Sequence, residues 1–156
     1  MTCHVVLFEG SWRSLTGVLI MVVTRSRYSH AAVNLNGRMV DASESRGNVG
    51  ETTALDLAPR RRVRAFEVDL RDPVHRNFIT QHLGAEYDWA GVLGWLFRAN
   101  SRRRFYCFEF AYKFAGLGRE VSNLRSISAR HLLALGMEEV FDGEAADYKI
   151  RYVRAA

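Results

Sequence analysis

The order of apolar and polar positions along the chain predicts a short list of elements. His4 to Phe8 is an apolar run of strand length. Leu15, Val18, Leu19, Val22 and Val23 recur at helical spacing, which predicts an amphipathic helix over residues 12–24 with its apolar stripe packed onto a sheet. Ala31 to Leu35 is again apolar and strand-length, Asn36-Gly37 is a two-residue hairpin turn, and Arg38 to Ala42 is the returning strand. A polar loop containing glycine follows from Ser43 to Glu51. After Pro59 and the Arg60-Arg61-Arg62 run, Val63 to Leu70 alternates in the manner of a strand. Asp72-Pro73 starts a helix, Asp as cap and Pro at the first position, that reaches Leu83 and stops at Gly84. Asp88 caps an apolar helix from Trp89 to Phe97. A further helix begins near Cys107 and stops at Gly116; Ser126 or Ser128 caps another that ends at Gly136. Tyr148 to Val153 reads as the last strand.

Strands near both ends with helices between them argue an α+β protein of one domain over residues 1–156. The chain has no internal repeat, linker or low-complexity tract. Apolar residues make up 48% and aromatic residues 12%, which suits a packed core and excludes disorder. No stretch is apolar for long enough to predict a membrane span. The N-terminus has no basic region ahead of its apolar run, so no signal peptide is expected and synthesis is cytoplasmic. Cys3 and Cys107 are too few for a disulfide framework or a four-cysteine zinc site, so a reducing compartment and no metal or other cofactor are expected. The net charge of +5 is carried almost wholly by arginine, since Lys113 and Lys149 are the only lysines. That balance suits nucleic acid, anionic lipid or an anionic cell wall, and ordinary solvated surface charge accounts for it equally well. No nucleic-acid-binding motif is present, so no specific nucleic-acid partner is expected.

The stretch from Arg104 to Gly116 concentrates the chemistry. Cys107, Phe110, Ala111 and Phe114 share one helical face, and Glu109 with Lys113 forms an i, i+4 pair on a wetter edge. A cysteine in a first helical turn faces unpaired backbone N–H groups and the positive end of the dipole, both of which favour a thiolate. The dipole supplies only about 0.3–1 kcal/mol, less than one pKa unit, so activation needs a histidine with an orienting group of its own.

The hairpin offers one. With Asn36-Gly37 as a two-residue loop, Leu35 opposes Arg38, Asp41 lies opposite Ala32, and His30 lies opposite Ser43. Asp41 is then a diagonal neighbour of His30 on one face, within reach of a side-chain hydrogen bond that fixes the imidazole tautomer. A bulge would hand that role to Ser43 or Glu44.

Tyr28-Ser29-His30-Ala31-Ala32-Val33, Val40-Asp41-Ala42-Ser43, Tyr87-Asp88-Trp89 and Tyr106-Cys107-Phe108-Glu109-Phe110 together resemble the circularly permuted branch of the NlpC-type papain-like cysteine hydrolases. That branch includes bacterial and phage proteins and the lecithin:retinol acyltransferase-like enzymes. The histidine strand precedes the cysteine helix, which is the permuted order. The resemblance implies a papain-like antiparallel sheet packed against the cysteine-bearing helix. It assigns Cys107 as nucleophile, His30 as general base and Asp41 as orienting residue. The chain departs from the pattern twice: Val18 follows Gly17 where the family has a Gly-Asp pair, and Phe108 stands where a small hydroxyl residue often follows the cysteine.

The implied chemistry is acyl transfer: thiolate attack on an amide or ester carbonyl, with proton shuttling by the imidazole. The resemblance points to an amide bond in peptidoglycan stem peptides, and the missing signal peptide to a phage product, associated with the virion or tail components. A lipid acyltransferase or thioesterase with the same dyad is the alternative enzyme. A basic binding module with a decayed site, using Arg60–Arg62 and Arg102–Arg104, is the alternative outside enzymology. Tyr28 and Tyr87 are candidate substrate contacts or core filling. Cys3 reads as structural, and His75, His82 and His131 as solvated helix surface rather than metal ligands.

Overall fold

The computed structural model describes residues 2–12, 15–71, 73–88, 106–117 and 127–153. Six strands form one sheet in the order β4-β3-β2-β1-β5-β6, every neighbouring pair antiparallel. They are β1 (Cys3–Glu9), β2 (Tyr28–Leu35), β3 (Arg38–Ser43), β4 (Asn48–Glu51), β5 (Arg62–Glu67) and β6 (Glu139–Glu144). The helices are α1 (Leu15–Thr24), α2 (Ala54–Leu57), α3 (Val74–His82), α4 (Cys107–Ala115), α5 (Ala129–Leu133) and α6 (Ala145–Tyr152). The protein is therefore α+β. Among the described residues no helix is long and apolar enough to cross a membrane.

The continuous apolar run of β1 marks a strand covered on both faces. Val5 and Leu7 enter the core cluster shared with α4, whereas Val6 and Phe8 enter a second cluster with Leu55, Phe141 and Tyr148. The strand is thus a partition between two apolar layers, with α4 on one side and α2 and α6 on the other. Phe110 of α4 is wholly buried and stacks on Phe78 of α3 at 5.4 Å. Phe110→Ala is expected to lower the unfolding free energy by about 3–5 kcal/mol, read from the denaturant midpoint at unchanged slope. A loss below 1 kcal/mol would show that this layer is loosely packed.

The hairpin forms as the sequence requires. Leu35 pairs with Arg38, Asn34 with Met39 and Val33 with Val40. Asn36 and Gly37 both adopt positive φ, 54° and 90°, as a primed two-residue turn demands.

Four elements differ from expectation. The Ser43–Glu51 loop contains strand β4, which has a single buried residue, Val49. Tyr148 to Val153 is helical rather than extended: Ala145 and Tyr148 are buried in α6, while Ile150 between Tyr148 and Tyr152 is 82% exposed. The last strand is instead the polar β6, with Phe141 as its one buried residue. Helix α1 turns the expected inner stripe outward: Gly17, Ile20 and Met21 are buried, and Leu15, Leu19 and Val22 are exposed. The helix is apolar around its circumference, so spacing alone could not choose its inner face. The helix expected over Trp89 to Phe97, together with Asp72, Ser126 and Arg102–Arg104, lies outside the described residues.

Candidate active site

Cys107 is the first residue of α4, and both its helix and its site follow from the local sequence. Phe108, Phe110, Ala111 and Phe114 drive the helix into the core. The capping residue Tyr106 is extended, at φ −100° and ψ 165°, and contributes no side-chain cap. The first backbone N–H groups of α4 therefore point from an apolar helix without a side-chain oxygen over them.

His30 approaches from β2. Phe8 pairs with His30 and Glu9 with Tyr28, so Ser29 is an extra residue in the ladder, a β-bulge immediately before the histidine. The bulge separates two side chains that strict alternation would put on one face. Tyr28 joins Ala31 and Val33 in the α4-side core, whereas His30 packs against Phe8 at 5.5 Å.

Asp41, on the neighbouring strand, accepts a hydrogen bond from His30 Nε2 at 2.7 Å through Oδ2. Its other oxygen accepts from Arg46 Nη2 at 2.5 Å. Arg46 also donates to the carbonyls of Asp41 and Gly50, which ties the β3–β4 turn to the carboxylate. Burial alone would raise the Asp41 pKa, but the bonds from His30, Thr52 and Arg46 hold it below the ordinary carboxyl value. Burial likewise works to lower the His30 pKa. Hydrogen bonds to Asp41 and to Cys107, with the charges of both partners, outweigh it and push the imidazole up to about 10. With Nε2 held by Asp41, Nδ1 is the ring nitrogen left for the thiol.

Cys107, His30 and Asp41 all line one open cleft of about 370 Å³. Gly17 and Ile20 of α1, Leu57 of α2, Tyr87 and Arg61 complete much of its wall. Of the two candidate substrate contacts, Tyr87 lies in the cleft and Tyr28 does not. Tyr28 is buried behind the bulge, with its hydroxyl accepting from Arg27 and Arg64 at 3.1 and 3.0 Å. Ser43 and Glu44 also line the cleft, but the carboxylate on the imidazole is that of Asp41.

Other assignments change. His75 is fully buried against Phe114, not on a solvated face, and His82 is half-buried with its Nδ1 2.7 Å from the Phe78 carbonyl. His131 is half-buried and forms a reciprocal cap with Ser128 at the start of α5. Glu109 is buried rather than on a wet edge; burial raises its pKa and the ammonium of Lys113, 2.7 Å away, opposes that rise. Cys3 lies in the core, where burial, reinforced by Glu67 and Asp69, pushes its thiol up to about 12. The Arg60–Arg62 run is not one basic stripe. Arg62 pairs with Asp142 at 2.8 Å, Arg61 turns into the cleft, and Arg60 is exposed. Sequence reasoning missed Arg46, Ser29 and Arg61, because a bulge and a tight β3–β4 turn bring them to the histidine and neither has a spacing signature.

Among the described residues no three His, Cys, Asp or Glu side chains are grouped as a metal site. No protein-family model matches the chain, and no curated protein sequence is similar to it. Its fold is similar to that of YiiX, a metalloprotein from Escherichia coli O157:H7 known from a crystal structure. The likeness has a TM-score of 0.55 at 20% identity and covers 80% of this chain and 68% of that one.

Proposed function

We propose that this chain is a papain-like cysteine hydrolase of the circularly permuted NlpC type. One observation carries the proposal: a carboxylate hydrogen-bonded to an imidazole, and a thiol at the mouth of a helix, all three lining one cleft. An imidazole whose pKa is pushed up to about 10 is cationic at neutral pH, which is the partner a thiolate needs. In this reading the Cys107 sulfur attacks an amide or ester carbonyl. The Cys107 N–H and its neighbours at the start of α4 receive the negative oxygen, and His30 delivers a proton to the leaving group. His30 then takes a proton from the incoming water, which releases the acyl group from sulfur. Asp41 holds the ring by Nε2, which leaves Nδ1 to serve the sulfur, and Arg46 holds Asp41 in turn.

The substrate we propose is an amide bond in peptidoglycan stem peptides, with phage virion or tail components as partners, on the strength of the sequence resemblance. A lipid acyltransferase or thioesterase is the second reading. Leu57, 79% exposed on the rim of the cleft, favours it, since an apolar rim suits an acyl chain. Incubation with a thiol-reactive acyl probe, followed by intact-mass and peptide mapping, tests the common chemistry. A single adduct on Cys107, formed at pH 6, is expected. Absence of any adduct there would favour the decayed binding module. Muropeptides and acyl esters offered side by side then separate the two enzyme readings by which one loads the sulfur.

The charge on His30 also makes a stability prediction. A folded-state pKa above the unfolded value of about 6.5 stabilises the fold fully below that pH, and the contribution fades as pH rises toward about 10. The stability advantage of the wild type over His30→Gln should therefore be greatest near pH 6 and shrink steadily to pH 10, measured by urea unfolding. An advantage that grows with pH would contradict a cationic His30.

A further inference from the structure

We infer that Arg61 is an anion-recognition residue in the cleft, so that the substrate of this site carries a carboxylate or phosphate group close to the bond that Cys107 attacks. The inference rests on the nucleophile reading above and goes on to name the substrate class.

Arg61 lies immediately before β5, half-buried, on the wall that Cys107, His30 and Ser29 share. Its guanidinium is fixed on three sides. Nε donates to the Glu9 carbonyl at 2.5 Å, Nη2 donates to the Ser29 hydroxyl at 2.5 Å, and the group lies over the Phe8 ring at 5.4 Å. Every one of these partners is neutral. The other arginines around the sheet end on carboxylates: Arg27 on Glu9, Arg38 on Glu51, Arg46 on Asp41, Arg62 on Asp142 and Arg64 on Glu139. Among the described residues no carboxylate pairs with Arg61, and its Nη1 amino group has no acceptor. Burial lowers its pKa, and the charge of Cys107 is what opposes that fall. A cation desolvated without a counter-ion costs stability unless something negative arrives. The planar fork, immobilised by neutral groups and left with its Nη1 edge unused, is shaped for a two-oxygen ligand. Such a ligand would sit against the same wall as the sulfur.

Alkylation of the intact protein tests this without a known substrate. Iodoacetate and iodoacetamide deliver the same reaction to sulfur, displacing iodide, and differ in carrying a carboxylate or a neutral amide. Peptide mapping reads Cys107 apart from Cys3. In the wild type at pH 6, Cys107 should prefer iodoacetate relative to the preference of free cysteine. In Arg61→Gln that relative preference should fall by about tenfold, the worth of one charge-assisted hydrogen bond, over and above any slowing that the two reagents share. Arg61→Lys, which keeps the charge and loses the fork, should lie between the two and guards against a Gln variant that fails to fold. Succinate and inorganic phosphate, each offered as a competitor, should slow wild-type labelling by iodoacetate; whichever protects more strongly identifies the oxyanion. Equal slowing of both reagents in Arg61→Gln, or no protection by either anion, overturns anion recognition while leaving the nucleophile standing. Inertness of Cys107 to both reagents overturns the nucleophile and this inference together.

Discussion

Cys107→Ala is expected to reduce turnover of any acyl substrate by about 10⁶-fold, to the level of background hydrolysis, while the fold survives. The sulfur is the group that forms the acyl intermediate, and the neighbouring residues cannot replace it: the Ser29 hydroxyl accepts a hydrogen bond from Arg61, and Tyr87 is held as a neutral phenol by burial, which raises its pKa. Cys107 is buried among Phe108, Phe110 and Ala111, so an alanine there removes one atom and leaves the helix face filled. His30→Ala should cost nearly as much, and the double variant no more than the worse single one, because the two act as a unit. The measurement is single-turnover hydrolysis of an activated ester alongside thermal melts. Turnover above a hundredth of wild type in either variant would remove the dyad from the mechanism.

The second large effect belongs to Asp41. Asp41→Asn preserves shape and most contacts but removes the charge that faces both His30 and Arg46. The rate should drop by about 10²–10⁴-fold, mainly in kcat, since the ring can then present the wrong tautomer to sulfur. The pH dependence gives an independent signature. His30 must be protonated to serve the leaving group, so the alkaline limb of kcat/KM reports its pKa, pushed up to about 10 in the wild type. With the carboxylate gone, a major cause of that rise is lost and the limb moves to lower pH, toward the ordinary imidazole value. An alkaline limb that stays where it was would mean that another group sets it. Arg46→Gln should move the same limb the opposite way or not at all, because it removes a competitor for the carboxylate, and that contrast separates orientation from general destabilisation.

How much of this was legible in the sequence differs element by element. The hairpin register was fully legible, because Asn36-Gly37 admits one turn type and a two-residue loop leaves no freedom in what opposes what. The partnership of His30 with Asp41 followed from it. The cysteine helix was legible because its apolar residues run to a definite end. Strands β4 and β6 were not: each buries a single side chain, so neither alternates visibly. Helix α6 was hidden by the chance alternation of Tyr148, Ile150 and Tyr152, whereas Ala145, Tyr148 and Tyr152 form the face that counts. Tyr28 takes the core-filling one of its two readings for the same reason that Arg61 was missed. The bulge at Ser29 swaps the side of the sheet that a residue faces and opens a place for a guanidinium, and no local pattern announces an inserted residue.

Cys3 lends the protein an internal stopwatch. Its sulfur is sealed into the central strand, with its proton held tightly to about 12, so a reagent can reach it only when that strand leaves the sheet. A single labelling experiment therefore reads two clocks in one sample: the modification of Cys107 times the chemistry of the folded molecule, and the slower modification of Cys3 times how often the whole molecule comes apart.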